Sequence, residues 1–457
     1  MLSLRTAARH HGVALRPDLP VHNLPLHRRL PSGTRPIQTA TVKDADIARL
    51  AAKPLHPLTL ADLCKNGRPP LSKQSLLSNA NFTLSILPSR LAHRIQSLRS
   101  LPYIVVANPN VNKIHNNYVH SLSTLLPYAE RKIETLEEEI KFTEAMADLV
   151  QTHSNTIAIL AKGFLEARKY ISKDEVTKFL DEHLRARIGT RLIAEQHIAL
   201  HMSSKPHNDL SDQDQHKEDE DSSFIGVIDT ELKPAALVRA CENTVGEICE
   251  LKYGVRPTVQ IVGSPDATIA HIPMHIEYVL TELLKNSFRA TIEAGMEKEA
   301  IEITIAPSPP PPEPAGKPST SPEDLPIDPA TNTPAAITTH DQGAVDAASS
   351  SPKPTASTSP NIRPLSHATP GVTIRIRDRG GGIDPSNLAK LWEYGFTTFN
   401  EDEIHDKTSG SGGGGMAGLD MLSGGAGQGS ELAGLGYGLP LGRAYAEYFG
   451  ESVGVGD

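Results

Sequence analysis

Sixteen prolines lie between residues 306 and 370, mixed with Ser, Thr and Ala. A stretch of that composition cannot bury enough apolar surface to offset the entropy lost on ordering. It is therefore expected to be a disordered insertion, not part of a core. On either side the pattern alternates with period two: Ile301, Ile303 and Ile305 before it, Val372, Ile374 and Ile376 after it. These read as two neighbouring strands with a long excursion between them, which is tolerable because loop-closure cost grows only logarithmically with length.

The remainder of the 457-residue chain divides by pattern. Up to Ala40 it is Arg-rich, with Asp18 the one acid, the composition of a mitochondrial transit peptide. Residues 41–205 read as a helical domain, with Ile133, Leu136, Ile140, Met146 and Leu149 recurring at helical steps between Tyr128 and Tyr170. Ser172 followed by Glu175 predicts a capping box at the start of another helix. Residues 206–225 form an acidic linker, and residues 226–457 an α/β domain. There, helices are expected over 235–253, 273–293, 387–394 and 441–449, and a strand over 258–262. Residues 408–430 are Gly-rich and expected to be mobile. The formal net charge of -9 gives no footprint for nucleic acid. No apolar run reaches membrane-spanning length. Cys64, Cys241 and Cys249 have no metal-ligand spacing and read as reduced structural thiols.

Three stretches carry chemistry. Glu282 and Asn286 stand four apart on a helix and share a face. The amide is a hard oxygen ligand suited to Mg²⁺, and the carboxylate can take a proton from a hydroxyl or water. Lys285 and Arg289 form a second such pair, able to hold phosphate or to order the helix. Asp378 ends a strand and meets Gly380, Gly381 and Gly382; it can accept from an exocyclic amine while glycine lets backbone approach a planar base. Gly434, Gly436 and Gly438 lead into a helix, where backbone N–H groups and the helix dipole favour an anion. Each stretch alone also fits an ordinary amphipathic helix or a tight turn. In this order they indicate ATP.

The set resembles the three nucleotide boxes of the GHKL ATPase superfamily. More closely, the chain resembles the mitochondrial pyruvate dehydrogenase kinase and branched-chain 2-oxoacid dehydrogenase kinase family. The similarity includes Leu87-Pro-Ser-Arg-Leu-Ala-His-Arg94, Arg187-Ile-Gly-Thr-Arg191, Leu280-Thr-Glu-Leu-Leu-Lys-Asn286, Tyr394-Gly-Phe-Thr-Thr398 and Gly434-Leu-Gly-Tyr-Gly-Leu-Pro440. The resemblance implies an α + α/β fold: an N-terminal four-helix bundle, for regulation and docking, followed by a GHKL ATP-binding domain. It implies a serine/threonine kinase of the mitochondrial matrix that inactivates the decarboxylase component of a 2-oxoacid dehydrogenase complex, docks on its lipoyl-bearing core and forms homodimers. It makes Glu282 the general base and Asn286 the Mg²⁺ ligand. Arg289, Asp378, Gly380, Gly382, Thr397, Thr398, Gly434, Gly436, Gly438 and Leu439 would contact nucleotide, and Leu391, Glu393 and Phe396 would supply a K⁺ site. No phosphohistidine is implied, and His197 reads as structural. Two departures stand out. Tyr278 occupies a position that is histidine in pyruvate-type members, and the family's C-terminal strands and tail are expected to be missing. The alternatives are a GHKL ATPase, with Glu282 activating water, and a docking module without turnover.

Overall fold

The computed structural model describes residues 39–55, 57–204, 222–307, 371–397, 435–449 and 453–454. Nearly all of the basic N-terminal segment, most of the acidic linker, the bulk of the Pro-rich insertion, the Gly-rich run, Thr398 and Gly434 lie outside them.

The first half is helical: α1 (Asp44–Ala51), α2 (Leu60–Cys64), α3 (Lys73–Arg99), α4 (Tyr103–Val106), α5 (Pro109–Ala129), α6 (Leu136–Thr152), α7 (Thr156–Ala167) and α8 (Lys173–Ser203). Their starts follow from local chemistry. Ser172 Oγ accepts from the Glu175 N–H at 3.2 Å while the Glu175 carboxylate accepts from the Ser172 N–H at 3.1 Å, the capping box its spacing predicts. Thr135 and Glu138 form another, and they interrupt the helical pattern of residues 128–170 between α5 and α6. Asn108 caps α5 ahead of Pro109, which needs no donor at that position. No helix among the described residues is long and apolar enough to cross a membrane.

The long helix α8 packs on α3 and α6 and buries Leu180, Leu184, Ile188, Leu192 and Leu200. It also buries polar groups, which must be hydrogen-bonded to be tolerated. His197 is fully buried. The Asn79 amide donates to its Nδ1 at 3.0 Å, which leaves Nε2–H to donate to Thr143 Oγ1 at 2.8 Å. Thr143 in turn donates to the Glu139 carbonyl at 2.9 Å, and His201 Nδ1–H donates to the buried Glu139 carboxylate at 2.9 Å. His197 Nε2 lies 3.7 Å from Glu139, but burial keeps that ring neutral, so the two are linked through Thr143 and are not an ion pair.

The second half contains two small sheets. One is antiparallel, in the order β1 (Phe224–Ile225), β2 (Ile228–Leu232), β4 (Ile269–His271). The other has the order β3 (Val259–Gly263), β5 (Ile301–Pro307), β6 (Val372–Arg377), with β3–β5 parallel and β5–β6 antiparallel. The strands flanking the Pro-rich insertion are thus direct neighbours. Helices α9 (Pro234–Tyr253) and α10 (Pro273–Glu293) pack on each other, and with the second sheet they enclose a core of Val238, Val245, Leu284, Phe288, Ile303 and Ile305. Cys241 and Cys249 lie in this core, and burial pushes the Cys241 thiol up to about 11. Two short helices follow among the described residues, α11 (Pro385–Leu388) and α12 (Gly438–Glu447).

Three readings of the sequence change. The helix expected over 387–394 is one turn at 385–388, because Asp384 caps it and the chain then turns. The last helix starts at Gly438, before Pro440, since a proline in the first turn costs no hydrogen bond. The linker ends earlier than 225, because β1 occupies its last two residues.

The halves are joined by side chains as well as by sequence. Gln196 of α8 donates to the Leu63 carbonyl at 2.9 Å and the Ile225 carbonyl at 3.1 Å, and accepts from the Val227 N–H at 2.8 Å. Gly226, at φ +64°, makes room for it: a Cβ there would collide with the Gln196 side chain. Tyr437, Leu441, Ala444, Tyr448 and Phe449 on and around α12 belong to the same apolar core as the helical half.

The buried histidines make stability pH-dependent. His153 and His197 each have a pKa lowered to about 4, chiefly by burial; nearby Arg187 and Arg191 add to this at His153, and His201 at His197. The unfolded chain takes up these protons near pH 6.5. Between pH 6.5 and about 4 the unfolded state therefore binds more protons, so stability is full above that window and falls as the pH drops through it. Urea midpoints followed by far-UV dichroism are expected to decline across it, less steeply for His197→Asn. A flat midpoint from pH 7 to pH 4 would contradict neutral burial of both rings.

Candidate functional site

Helix α10 turns Leu280, Leu284 and Phe288 into the sheet core, and this sets the direction of its other face. Glu282, Asn286 and Ala290 follow one another at four-residue steps and so form one stripe. Glu282 is only 8% exposed, whereas Asn286, one turn on, is open to solvent. Lys285 Nζ donates to Glu282 Oε1 at 2.6 Å. Arg289 is engaged instead with Glu293 of its own helix. Lys285 and Arg289 each have an acid partner along α10, which fits the helix-ordering reading of the two.

The two glycine segments touch the two ends of this stripe. At one end, Gly438 at the start of α12 lies against Glu282, and a Cβ there would collide with Glu282 Oε2. At the other, Gly380 lies against Ala290, and a Cβ there would collide with that residue. Ala290 is eight residues past Glu282, so the contacts are about 12 Å apart along the helix. Asn286 stands midway, in the open part.

Each glycine segment has its own local cause. After β6, the Asp378 carboxylate folds back and accepts from the Gly380 N–H at 2.9 Å, leaving one carboxylate oxygen outside that bond. Gly381 and Gly382 follow at φ +86° and +81°, a conformation that other residues rarely adopt. Ahead of α12, Gly436 has φ +73°, and its carbonyl accepts from the Gly395 N–H at 3.1 Å. A Cβ on Gly436 would collide with the Phe396 carbonyl. The second glycine segment is thereby laced to Tyr394–Thr397, and the Tyr394 and Tyr437 rings meet edge-on at 5.4 Å. Leu439 lines a small cleft with Glu282, Leu283, Gly442, Arg443 and Val453. Leu391, Glu393 and Phe396 lie in the turn that precedes Thr397, where the Glu393 carbonyl already accepts from the Phe396 N–H at 3.3 Å. Thr398 and Gly434 lie outside the described residues.

Three further residues neighbour the site. Arg443 stands one turn along α12 from Leu439, with its guanidinium 5.0 Å from the centre of the Trp392 ring. Its spacing from Leu439 was the one available signal. Lys285 was read as a phosphate or helix-ordering residue, and its bond to Glu282 has the three-residue spacing of a helix pair. Tyr278 lies one turn before Glu282, with its hydroxyl buried and without a hydrogen-bond partner among the described residues. Burial first, then Glu282, holds that phenol well above its ordinary value, so it stays protonated.

A family profile described as "Mitochondrial branched-chain alpha-ketoacid dehydrogenase kinase" matches residues 57–229. The chain is 26% identical over 411 residues to "[Pyruvate dehydrogenase (acetyl-transferring)] kinase 1, mitochondrial" of Saccharomyces cerevisiae, covering 89% of this chain and 81% of that protein. It is 27% identical over 388 residues to the mitochondrial [pyruvate dehydrogenase (acetyl-transferring)] kinase of Arabidopsis thaliana, covering 84% and 82%. It is 25% identical over 383 residues to isozyme 4 of that kinase from Mus musculus, covering 80% and 70%. The profile and the relatives carry the names of two sister activities and match overlapping parts of one chain. Over most of its length the chain is similar to mitochondrial pyruvate dehydrogenase kinases, and over residues 57–229 to the mitochondrial branched-chain 2-oxoacid dehydrogenase kinase.

Proposed function

We propose that this chain is an ATP-dependent protein serine/threonine kinase of the mitochondrial matrix. It phosphorylates and so inactivates the decarboxylase component of a 2-oxoacid dehydrogenase complex. The observation that carries the reading is the stripe Glu282–Asn286–Ala290, closed at both ends by glycine segments and open in the middle. The pyruvate complex is the favoured target, because the relatives matched over most of the chain are named for it. The branched-chain complex is the second reading, favoured by the profile over residues 57–229 and by Tyr278.

In this reading residues 41–205 are a four-helix bundle that regulates and docks on the lipoyl-bearing core. Residues 226–457 are a GHKL nucleotide domain, and residues 1–40 a removable transit peptide. Adenine is read by the free oxygen of Asp378, with Gly380 and Gly382 allowing close approach. The phosphates lie on the backbone of Gly434, Gly436, Gly438 and Leu439, with Arg289, Thr397 and Thr398 along the nucleotide. Asn286 would hold Mg²⁺, which neutralises developing charge on the phosphates. Carbonyls of Leu391, Glu393 and Phe396 would hold K⁺. A homodimer follows the family pattern.

Lys285 occupies Oε1 of Glu282, so Oε2, which faces Gly438, is the oxygen placed to accept a proton. Glu282 takes the proton of the serine hydroxyl as its oxygen bonds to the γ-phosphorus. The bond from that phosphorus to the β–γ bridging oxygen breaks, and ADP leaves.

Radiolabelled ATP offered with purified pyruvate and branched-chain complexes side by side tests this reading. Label on a decarboxylase serine supports it, whereas release of free phosphate alone indicates an ATPase. Glu282→Gln is expected to lower transfer by about a hundredfold or more while ATP binding persists, the usual scale for loss of a general base. Equal inhibition of the complex by wild type and Glu282→Gln without ATP would instead identify a docking module. Gly438→Ala should also abolish transfer, because its methyl displaces Oε2, whereas Gly442→Ala, whose Cβ meets nothing within 4 Å, should leave the protein as stable or slightly more so. Thermal melts and initial rates on both variants separate these effects.

A further inference from the structure

The helical half reaches the cleft through a line of charges. Arg185 of α8 donates from its Nη2 to Glu447 Oε2 at 2.6 Å, across 262 residues of sequence. Its Nε is held by Asp181 Oδ2 at 2.8 Å. The second oxygen of Glu447, Oε1, accepts from Arg443 Nε at 2.6 Å. The Arg443 guanidinium in turn lies over the ring of Trp392 and forms part of the cleft wall beside Glu282. Arg185 is 12% exposed and Glu447 23%, so the pair is screened less than a surface bridge. One residue further on, Tyr448 fills the notch at Gly189 of α8, where a Cβ would collide with its hydroxyl. The end of α12 is thus fixed to α8 at two adjacent points, while its start lies against Glu282.

We propose that Glu447 is a positioning residue. Held by Arg185 from the helical half, it fixes the Arg443 guanidinium over Trp392 at the edge of the cleft beside Glu282. A cation held over an aromatic face and drawn back by a carboxylate has one preferred place. Without Glu447 in position the Arg443 side chain is free to swing, and the cleft wall loses its shape. The effect on nucleotide rests on the reading of this cleft as an ATP site; the link from Arg185 to Trp392 does not.

Trp392 is the one tryptophan of the chain, so its emission reports on this contact directly. The experiment uses the full chain with Arg443→Gln, Arg185→Gln, Arg185→Lys and Asp181→Asn, reading tryptophan emission and titration with MgATP. Arg443→Gln removes the cation and sets the reference change. Arg185→Gln, which does not touch the ring, is expected to change emission in the same direction and to weaken MgATP binding by about threefold, the scale of one partly exposed ion pair. Arg185→Lys should restore much of both. Asp181→Asn should leave emission unchanged, because Arg185 keeps Glu447. Emission that changes in Arg443→Gln but not in Arg185→Gln overturns the proposal. Should Arg185→Gln fail to fold by circular dichroism, Glu447→Gln breaks the same bridge from the other side and decides the matter. A wild-type chain that binds no MgATP, combined with the emission change in Arg185→Gln, refutes the nucleotide reading and upholds the positioning role.

Discussion

The structure depends on a single long helix that is obliged to satisfy two halves at once. Helix α8 buries apolar side chains against α3 and α6, yet it also carries Arg185, Gln196 and His197 at positions with little or no solvent. Polar groups so placed cost free energy unless they find partners. Here the partners come from elsewhere in the chain. Gln196 takes backbone groups from Leu63 and from the β1–β2 turn, and Arg185 takes Glu447. The need to satisfy these few atoms holds the α/β half in register with the helical half.

The cleft is consequently a seam. Glu282 lies on a helix that packs in the second core, while α12 contributes Leu441 and Ala444 to the first. Glu282 and Gly438 are neighbours only when both cores are correctly packed against each other. Their contact tolerates no side-chain carbon, so the placement of the Glu282 carboxylate is as strict as the packing behind it.

Much of this was legible in the sequence, and the limits have physical causes. The period-two runs at 301–305 and 372–376 gave adjacent strands because alternation records one buried face. The span of α10 was readable from its apolar face and from Pro273 at its start. Motif spacing brought Glu282 and Asn286 to one side of α10. Short strands such as β1 and β4 left no usable pattern, since two or three residues carry no period. Nor could any local signal show that Arg185 meets Glu447, because that choice is made by a tertiary contact. The positive φ of Gly436 was hidden among many other glycines. Only its approach to Phe396 distinguishes it.

The ladder between β5 and β6 ends with Pro307 opposite Val372. Residues 307 and 372 are thus held side by side on one antiparallel ladder. Whatever length of polypeptide joins them, the sheet has the same two anchored ends. The length and sequence of the joining segment can therefore change without altering how β5 and β6 pair, and a protein engineer could graft a reporter domain there on the same terms.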